Sequence, residues 1–266
     1  MTADDGIRAL AGAALCLIPA LLWTILCERT LWIVRTRRPR SRLYVLLPVV
    51  CGSLGAHYLL CALLVLVPPR ALMPSARDVL GTPLAFVLSQ LRDVSLLAAV
   101  VAGRHLMHYL PEREQPPSRA WLWTTYGSAA AVAVLAFAFP LLPAPDEESA
   151  FDAYRRVFEV YVLLSQVAVV AFGARIVRRG AWGHAGLTAI RHVDVVLFGA
   201  GLIGMGLGLL VRLATGSSDW TRSFWLVVGT ALIGTLASVP FVVRLLGEVL
   251  RSFLVLAALV VCVALL

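Results

Sequence analysis

Residues 43–67 read LYVLLPVVCGSLGAHYLLCALLVLV and contain no Asp, Glu, Lys or Arg. A helix needs about 20 mainly apolar residues to cross the hydrocarbon core of a bilayer, and this run is long enough. The sequence therefore predicts an all-α, polytopic transmembrane helix bundle of seven or eight spans. The predicted spans are residues 9–27, 43–67, 84–102, 120–142, 157–177, 195–213, 223–243 and 252–266.

The composition of the whole chain excludes several classes of protein. Of its 266 residues, 60% are hydrophobic and 14% are charged. A soluble domain is about 45–50% apolar and about 25% charged, so soluble, disordered and disulfide-rich classes are excluded. The chain contains no Lys, which excludes chemistry based on a lysine Schiff base. The lipid bilayer is the expected partner, and nucleic acid is not, because most arginines fall in short loops between apolar runs.

The distribution of arginine predicts the orientation of the chain. Fourteen arginines fall in the first, third, fifth and seventh loops, and seven fall on the other side. Positive residues favour the cytoplasmic side, so we expect the N-terminus outside. The absence of Lys and Asn, which use A-rich codons, is typical of a GC-rich bacterial genome. The expected location is therefore the bacterial cytoplasmic (inner) membrane, with a multi-pass topology.

The third span carries the residues that cost most to place in a bilayer. Gln90, Arg92 and Asp93 lie near its middle. An ionisable group at this depth costs about 2.5–3.5 kcal/mol on insertion scales, so it should face the bundle interior and find a partner. Because adjacent helical residues point about 100° apart, Arg92 and Asp93 should seek different partners. His57 in the second span lies at a similar depth, which allows a contact with Asp93.

Two interpretations of these buried polar residues remain open. One is a structural clamp between helices. The other is an outward-facing pocket that binds a ligand or senses a signal. Independently of either interpretation, Arg212 at the outer end of the sixth span could meet Glu159. The residues expected to line the pocket are His57, Gln90, Arg92, Asp93, Glu159 and Gln166.

The sixth span contains Gly199, Gly201 and Gly204 in the spacing G-x-G-x-x-G, followed by Gly208. A dinucleotide site needs this motif between a strand and a helix, whereas here the apolar run continues. We therefore predict close helix packing at these four glycines, and no cofactor. The sequence has no HExxH motif, nucleophile elbow, P-loop or catalytic carboxylate pair, so neither a catalytic site nor a metal site is predicted.

Two stretches carry a resemblance to a known family. They are the polar run Leu88-Ser89-Gln90-Leu91-Arg92-Asp93 and the residues 243–251 that lead into the last span. With the Arg-rich first loop, this pattern resembles the N-terminal membrane module of bacterial sensor histidine kinases. It is similar to the seven-helix input domains and to the eight-helix module of the PrsK-type kinases of the PEP-CTERM exosortase system.

The resemblance implies a homodimer with a cytoplasmic GAF or kinase region after the last helix. We therefore expect residues 1–266 to form a single transmembrane helical domain, truncated before that output region. Histidine kinase activity would belong to the missing region, because residues 1–266 contain no H-box and no ATP-binding glycine boxes.

The expected function is a sensory input domain that passes an unknown small-molecule or lipid signal through helix rearrangement. The alternative is a stand-alone small-molecule or proton-coupled transporter that uses the third-span cluster. The lack of an internal repeat counts against this alternative. A membrane enzyme is the weakest hypothesis, because no loop gathers catalytic residues at one face.

Overall fold

The computed structural model describes residues 3–37, 43–67, 75–109, 117–141, 143 and 145–180. These residues form six α-helices and one short 3-10 turn, and they contain no β-strand. The all-α prediction is confirmed for this part of the chain. The helices are α1 (Ala3–Arg37), α2 (Leu43–Leu66), α3 (Ala76–Gly81), α4 (Pro83–Tyr109), α5 (Arg119–Ala138) and α6 (Glu147–Gly180), with the 3-10 turn at Phe139–Leu141.

Four of these helices are long and apolar enough to cross a membrane. They match the first four predicted spans, and the predicted fifth span lies within α6. The predicted spans 195–213, 223–243 and 252–266 lie outside the described residues, as do Gly199, Gly201, Gly204 and Gly208. The candidate spans are Ala9–Thr36, Val45–Leu66, Pro83–Leu106 and Arg119–Leu141.

The first helix is longer than the sequence analysis expected. The first predicted span ended at residue 27, just before Glu28, but α1 continues to Arg37 without a break. No Gly or Pro follows Glu28 within the helix, so nothing in the backbone stops it there. The charged pair Glu28-Arg29 does not end the helix, since long charged side chains can reach toward the polar interface.

Large apolar side chains on the outer faces of the spans are exposed. Trp123 is 77% exposed and Leu141 is 86% exposed. Isolated exposed apolar residues are ordinary on the surfaces of soluble proteins. In this chain, the exposed apolar residues lie on candidate spans of membrane-crossing length. Exposed side chains of this kind are suited to contact with lipid. The chain is therefore a helical membrane protein.

The chain divides into two compact units. The first comprises Met1–Cys27, Val49–Ala102 and Gln115–Val162. The described residues of the second are 28–37, 43–48, 103–109 and 163–180. All the contacts that form the candidate site below lie within the first unit.

Helices α1 and α2 approach closely in the first unit. A Cβ atom at Gly55 would lie 2.9 Å from Thr24 Oγ1 and 3.3 Å from the Thr24 backbone nitrogen. A Cβ atom at Gly52 would lie 3.2 Å from Cys27 Sγ. Glycine therefore allows the two backbones to pack at this distance, as small residues commonly do between membrane helices.

Polar caps define where the later helices begin. Ser118 Oγ accepts a hydrogen bond from the Trp121 N–H at the start of α5. Asp146 Oδ1 accepts one from the Ser149 N–H at the start of α6, at 2.6 Å. This bond from the Ser149 backbone holds the pKa of the exposed Asp146 carboxyl below its usual value. The cap places the first turn of α6 well before the predicted fifth span.

An aromatic cluster packs where the 3-10 turn meets α4 and α6. Phe139 stacks on Tyr154, with ring centres 5.5 Å apart and planes 10° apart. Phe139 also contacts Phe86 of α4 and Phe151 of α6, at 5.9 and 5.4 Å. Phe139 and Tyr154 are both fully buried. The cluster therefore holds the first turns of α6 against α4 and sets the position of Tyr154.

Candidate functional site

Asp93 of α4 is the centre of the buried polar cluster. Its Oδ1 accepts a 2.8 Å hydrogen bond from Arg92 Nε, and Arg92 Nη2 lies 2.7 Å from the same oxygen. Its Oδ2 accepts hydrogen bonds from Tyr154 Oη at 2.8 Å and from Arg155 Nη1 at 3.1 Å. A carboxylate has about four lone-pair positions, so these contacts fill the acceptor capacity of Asp93. We call Asp93, Arg92, Tyr154 and Arg155 the Asp93 junction.

The junction joins two helices that are distant in sequence. Arg92 and Asp93 lie on α4, whereas Tyr154 and Arg155 lie on α6. All four residues are buried. Buried charges are tolerated when they are paired and hydrogen-bonded, and this carboxylate meets both conditions. The interpretation of these residues as a clamp between helices therefore has a direct structural basis.

Sequence analysis missed Tyr154 and Arg155, because the predicted fifth span began at residue 157. Helix α6 begins ten residues earlier, at Glu147, so both side chains lie about two turns inside it. One signal was available in the sequence. Phe151, Tyr154, Phe158 and Val162 recur at helical spacing, and all are buried.

The expectation that Arg92 and Asp93 seek different partners is wrong. Their side chains pair directly, although the residues are adjacent. The physical reason is the length of the arginine side chain, which can bend toward its neighbour while its Nη2 also donates to Ser89 Oγ at 3.3 Å. Adjacent residues diverge at Cβ, but a guanidinium several bonds away is free of that constraint.

His57 contacts the cluster through the backbone of Arg92. Its Nδ1 lies 3.1 Å from the Arg92 carbonyl oxygen. A carbonyl only accepts, so Nδ1 carries the proton and donates. In the neutral ring, Nε2 is then the acceptor, and it lies 3.7 Å from Cys61 Sγ. The hydrogen bond between α2 and α4 therefore joins His57 to the Arg92 backbone. The sequence analysis had allowed a contact between His57 and the Asp93 side chain instead.

Glu159 lies one turn beyond Arg155 on α6. Its Oε1 is 3.9 Å from Arg155 Nε, and its side chain is buried. Arg155 therefore lies between two carboxylates, with Asp93 the nearer. The expected contact between Glu159 and Arg212 falls outside the described residues, because Arg212 lies beyond Gly180.

The two glutamines expected in the pocket have different outcomes. Gln90 is fully buried, and neither its Oε1 nor its Nε2 has a hydrogen-bond partner in the described part of the chain. Gln166 lies on α6, and its side chain is outside what the structure describes. Gln90 precedes Asp93 by three residues, so both lie near one face of α4.

The structure thus brings together three of the six expected residues by direct contact, namely His57, Arg92 and Asp93. Glu159 joins them through Arg155. Arg92 and Arg155 balance the charges of Asp93 and Glu159 when all four are ionised. Among residues 3–180 that the structure describes, no group of three His, Cys, Asp or Glu side chains is arranged to hold a metal ion.

The chain matches no family model, and no curated protein or solved structure shows significant similarity to it.

Proposed function

We propose that this chain is the membrane-embedded input domain of a bacterial signal-transduction protein. A sensor histidine kinase is the class of protein we favour. The observation that carries the proposal is the Asp93 junction, in which one buried carboxylate is bound by donors from α4 and α6. The fold alone would not support this function, because helical bundles serve many functions.

The junction has the properties of a two-state contact between helices. Its bonds are charged, directional and buried, so a shift of α6 would exchange partners in a discrete step. Arg155 has a second carboxylate close by, since Glu159 Oε1 lies 3.9 Å from its Nε whereas Asp93 lies 3.1 Å from its Nη1. A signal that moves α6 along α4 would weaken the contact of Arg155 with Asp93 and strengthen its contact with Glu159.

The saturation of Asp93 favours input over transport. A carboxylate that carries a proton or an ion must have a free lone pair in at least one state. In this structure, four donor atoms of the protein occupy the two oxygens of Asp93. We therefore propose that, in the state that the structure shows, the carboxylate holds α4 and α6 in register.

The proposal includes finer features that follow from the sequence. We propose seven or eight spans, an N-terminus outside and a location in the bacterial inner membrane. We also propose a homodimer, and a cytoplasmic kinase region that belongs to the same gene product. The exposed apolar side chains of the described spans support the bilayer as partner.

The proposal is tested by measuring ATP-dependent autophosphorylation of the native gene product in membrane vesicles. Asp93→Asn removes the charge of the junction but retains its shape. We expect it to change autophosphorylation by at least about fivefold, the lower range of coupling between distant sites. The control is Asp152→Asn, at an exposed position of α6. A gene product without kinase activity, or an Asp93→Asn variant with wild-type activity, would overturn the proposal.

A second candidate function, a small-molecule or proton-coupled transporter, is favoured by one observation. The fully buried amide of Gln90 has no partner among the described residues, as expected of a group that awaits a substrate. Uptake into reconstituted vesicles driven by a pH gradient would support this candidate. Gln90→Leu should then abolish uptake.

A further inference from the structure

Four cysteines lie along the contact between α1 and α2, two on each helix. Cys16 and Cys27 belong to α1, and Cys51 and Cys61 belong to α2. None of the four is in a disulfide in the structure. They lie on different helices from the residues of the Asp93 junction, so the proposed function does not account for their arrangement.

The close approach of the two helices determines which residues face each other. A Cβ atom at Gly55 would lie against Thr24, and a Cβ atom at Gly52 would lie 3.2 Å from Cys27 Sγ. A step of three residues forward along α1 therefore corresponds to a step of three residues back along α2, so the helices run antiparallel. In this register, Cys27 lies level with Cys51, the residue next to Gly52.

The pattern of burial places Cys27 and Cys51 on the contact faces of their helices. On α1, buried residues recur at alternating steps of three and four and lead to Cys27, namely Ala13, Cys16, Ala20 and Trp23. On α2, buried residues with the same spacing follow Cys51, namely Gly55, Tyr58, Ala62 and Val65. This spacing is typical of the seam between two packed helices. The two thiols therefore lie in one seam, close enough to interact electrostatically.

Cys16 and Cys61 form a second pair, about three turns away from Cys27 along the same seam. Their thiols also interact electrostatically. Both residues are buried, and Cys61 Sγ lies 3.7 Å from His57 Nε2. Cys27, in contrast, is only half-buried. A molecule dissolved in the bilayer therefore reaches Cys27 first among these four thiols.

The backbones of α1 and α2 are close enough for a covalent link. A disulfide usually joins residues whose Cα atoms lie about 4.4–6.8 Å apart. The Cβ position of Gly55 lies 3.3 Å from the Thr24 nitrogen, and one bond of about 1.5 Å at either end brings the two Cα atoms within about 6.3 Å. Cys27 and Cys51 face each other about one turn along from this contact.

We propose that Cys27 and Cys51 form a disulfide when a lipid-soluble quinone oxidises them, and that this bond locks α1 against α2. Two S–H bonds break and one S–S bond forms between the helices. Two electrons and two protons pass to the quinone, whose two carbonyl groups become the hydroxyls of a hydroquinone. The inference does not rest on the proposed input function, because it concerns the α1–α2 contact alone.

The location of the two thiols determines the class of oxidant. Cys27 and Cys51 lie within the candidate spans Ala9–Thr36 and Val45–Leu66. Charged oxidants are costly to place in the hydrocarbon core, whereas a quinone dissolves there. Bacterial membranes also use quinones as acceptors of electrons from protein thiols.

The experiment uses the full 266-residue chain, reduced and reconstituted in lipid nanodiscs without oxygen, with decylubiquinone as the probe. After denaturation, N-ethylmaleimide labels the remaining thiols, and mass spectrometry of the peptides locates the labels. We expect the wild type to lose two labels and to yield a linked peptide pair that contains Cys27 and Cys51. The linked protein should also have a higher Tm, since a disulfide restricts the unfolded chain.

Cys27→Ser retains the size of the side chain but cannot form the bond, so we expect the linked fraction to fall at least about tenfold. Cys51→Ala should show the same loss while it retains the more accessible thiol. Cys16→Ser is the matched control, because it removes a thiol from the same helix and the same seam but leaves the proposed pair intact. This control should form the disulfide as the wild type does.

Four results would overturn the inference. They are no loss of thiols in the wild type, equal linkage in Cys27→Ser, a linked peptide pair that contains Cys16 or Cys61 in place of the proposed residues, and a link between two separate chains.

Discussion

The hydroxyl of Tyr154 on α6 donates a 2.8 Å hydrogen bond to the carboxylate of Asp93 on α4, although 61 residues separate them. The ring of Tyr154 stacks on Phe139, and its hydroxyl completes the coordination of Asp93. One residue therefore connects the aromatic cluster to the Asp93 junction. The packing of α6 against α4 therefore depends on the hydroxyl group of Tyr154.

Tyr154→Phe removes that hydroxyl and retains the stacked ring. We expect the free energy of unfolding to fall by about 1 kcal/mol, the usual range for hydrogen bonds between membrane helices. Reversible unfolding in mixed micelles measures this value. Tyr161→Phe is the control, because its hydroxyl makes longer contacts than that of Tyr154, at 3.2 Å from Ser128 Oγ and 3.4 Å from the Thr125 carbonyl oxygen. An equal effect of both substitutions would contradict a special role for Tyr154.

Arg155 and Asp93 should be energetically coupled. Arg155→Gln alone leaves the Asp93 carboxylate with one fewer charged donor, and breaking a buried pair in this way costs about 3–5 kcal/mol. Asp93→Asn alone should also destabilise the bundle. In the double variant, the cost should be smaller than the sum of the two by at least about 1 kcal/mol. A double-mutant cycle of unfolding free energies measures the coupling, and additive costs would refute it.

Gly55→Ala should destabilise the contact between α1 and α2. The added Cβ would lie 2.9 Å from Thr24 Oγ1 and 3.3 Å from backbone, so the helices must move apart. Overpacking of this kind costs about 1–3 kcal/mol. Gly127→Ala is the matched control, because a Cβ there meets nothing within 4 Å. The control should be neutral or more stable, since Ala favours a helix by up to about 1 kcal/mol. Equal Tm values for the two variants would be the contrary result.

The start of α6 should depend on pH through Asp146. Hydrogen bonding from Ser149 lowers the pKa of this carboxyl in the folded state. Its contribution to stability is therefore present above the ordinary pKa of aspartate and is lost as the pH falls through the lowered value. The amide NMR signal of Ser149 should titrate in this range. Asp146→Asn retains a capping oxygen that does not titrate, so an unchanged titration in that variant would exclude Asp146 as the cause.

Sequence analysis predicted the helical class and the first four spans, because long apolar runs have few other solutions in a bilayer. It also predicted that Arg92 and Asp93 would be buried and would each find a partner, since the cost of an isolated charge forces that outcome. It did not predict that the two would pair with each other. The sequence analysis did not identify the partners of Asp93 on α6, Tyr154 and Arg155. Arg155 fell outside the predicted fifth span, whereas α6 begins at Glu147, early enough to bury Arg155 against Asp93.

The position of His57 shows a second limit of the sequence. Depth in the membrane allowed a contact with Asp93, but the ring bonds to the Arg92 carbonyl. Depth follows from residue number along each span, whereas the rotation of one helix against another depends on packing. Gly52 and Gly55, which allow the close approach of α1, lie on the helix that carries His57. No motif in the sequence encodes the rotation of this helix about its axis.

The most direct measurement of the central claim is autophosphorylation of the native gene product that carries Asp93→Asn, Arg155→Gln or both. If the Asp93 junction transmits the signal, each single variant should change the activity by at least about fivefold. The double variant should change it no further, because both substitutions break the same contact. Wild-type activity in all three variants, with correct membrane insertion, would contradict the claim and leave the junction as a structural clamp.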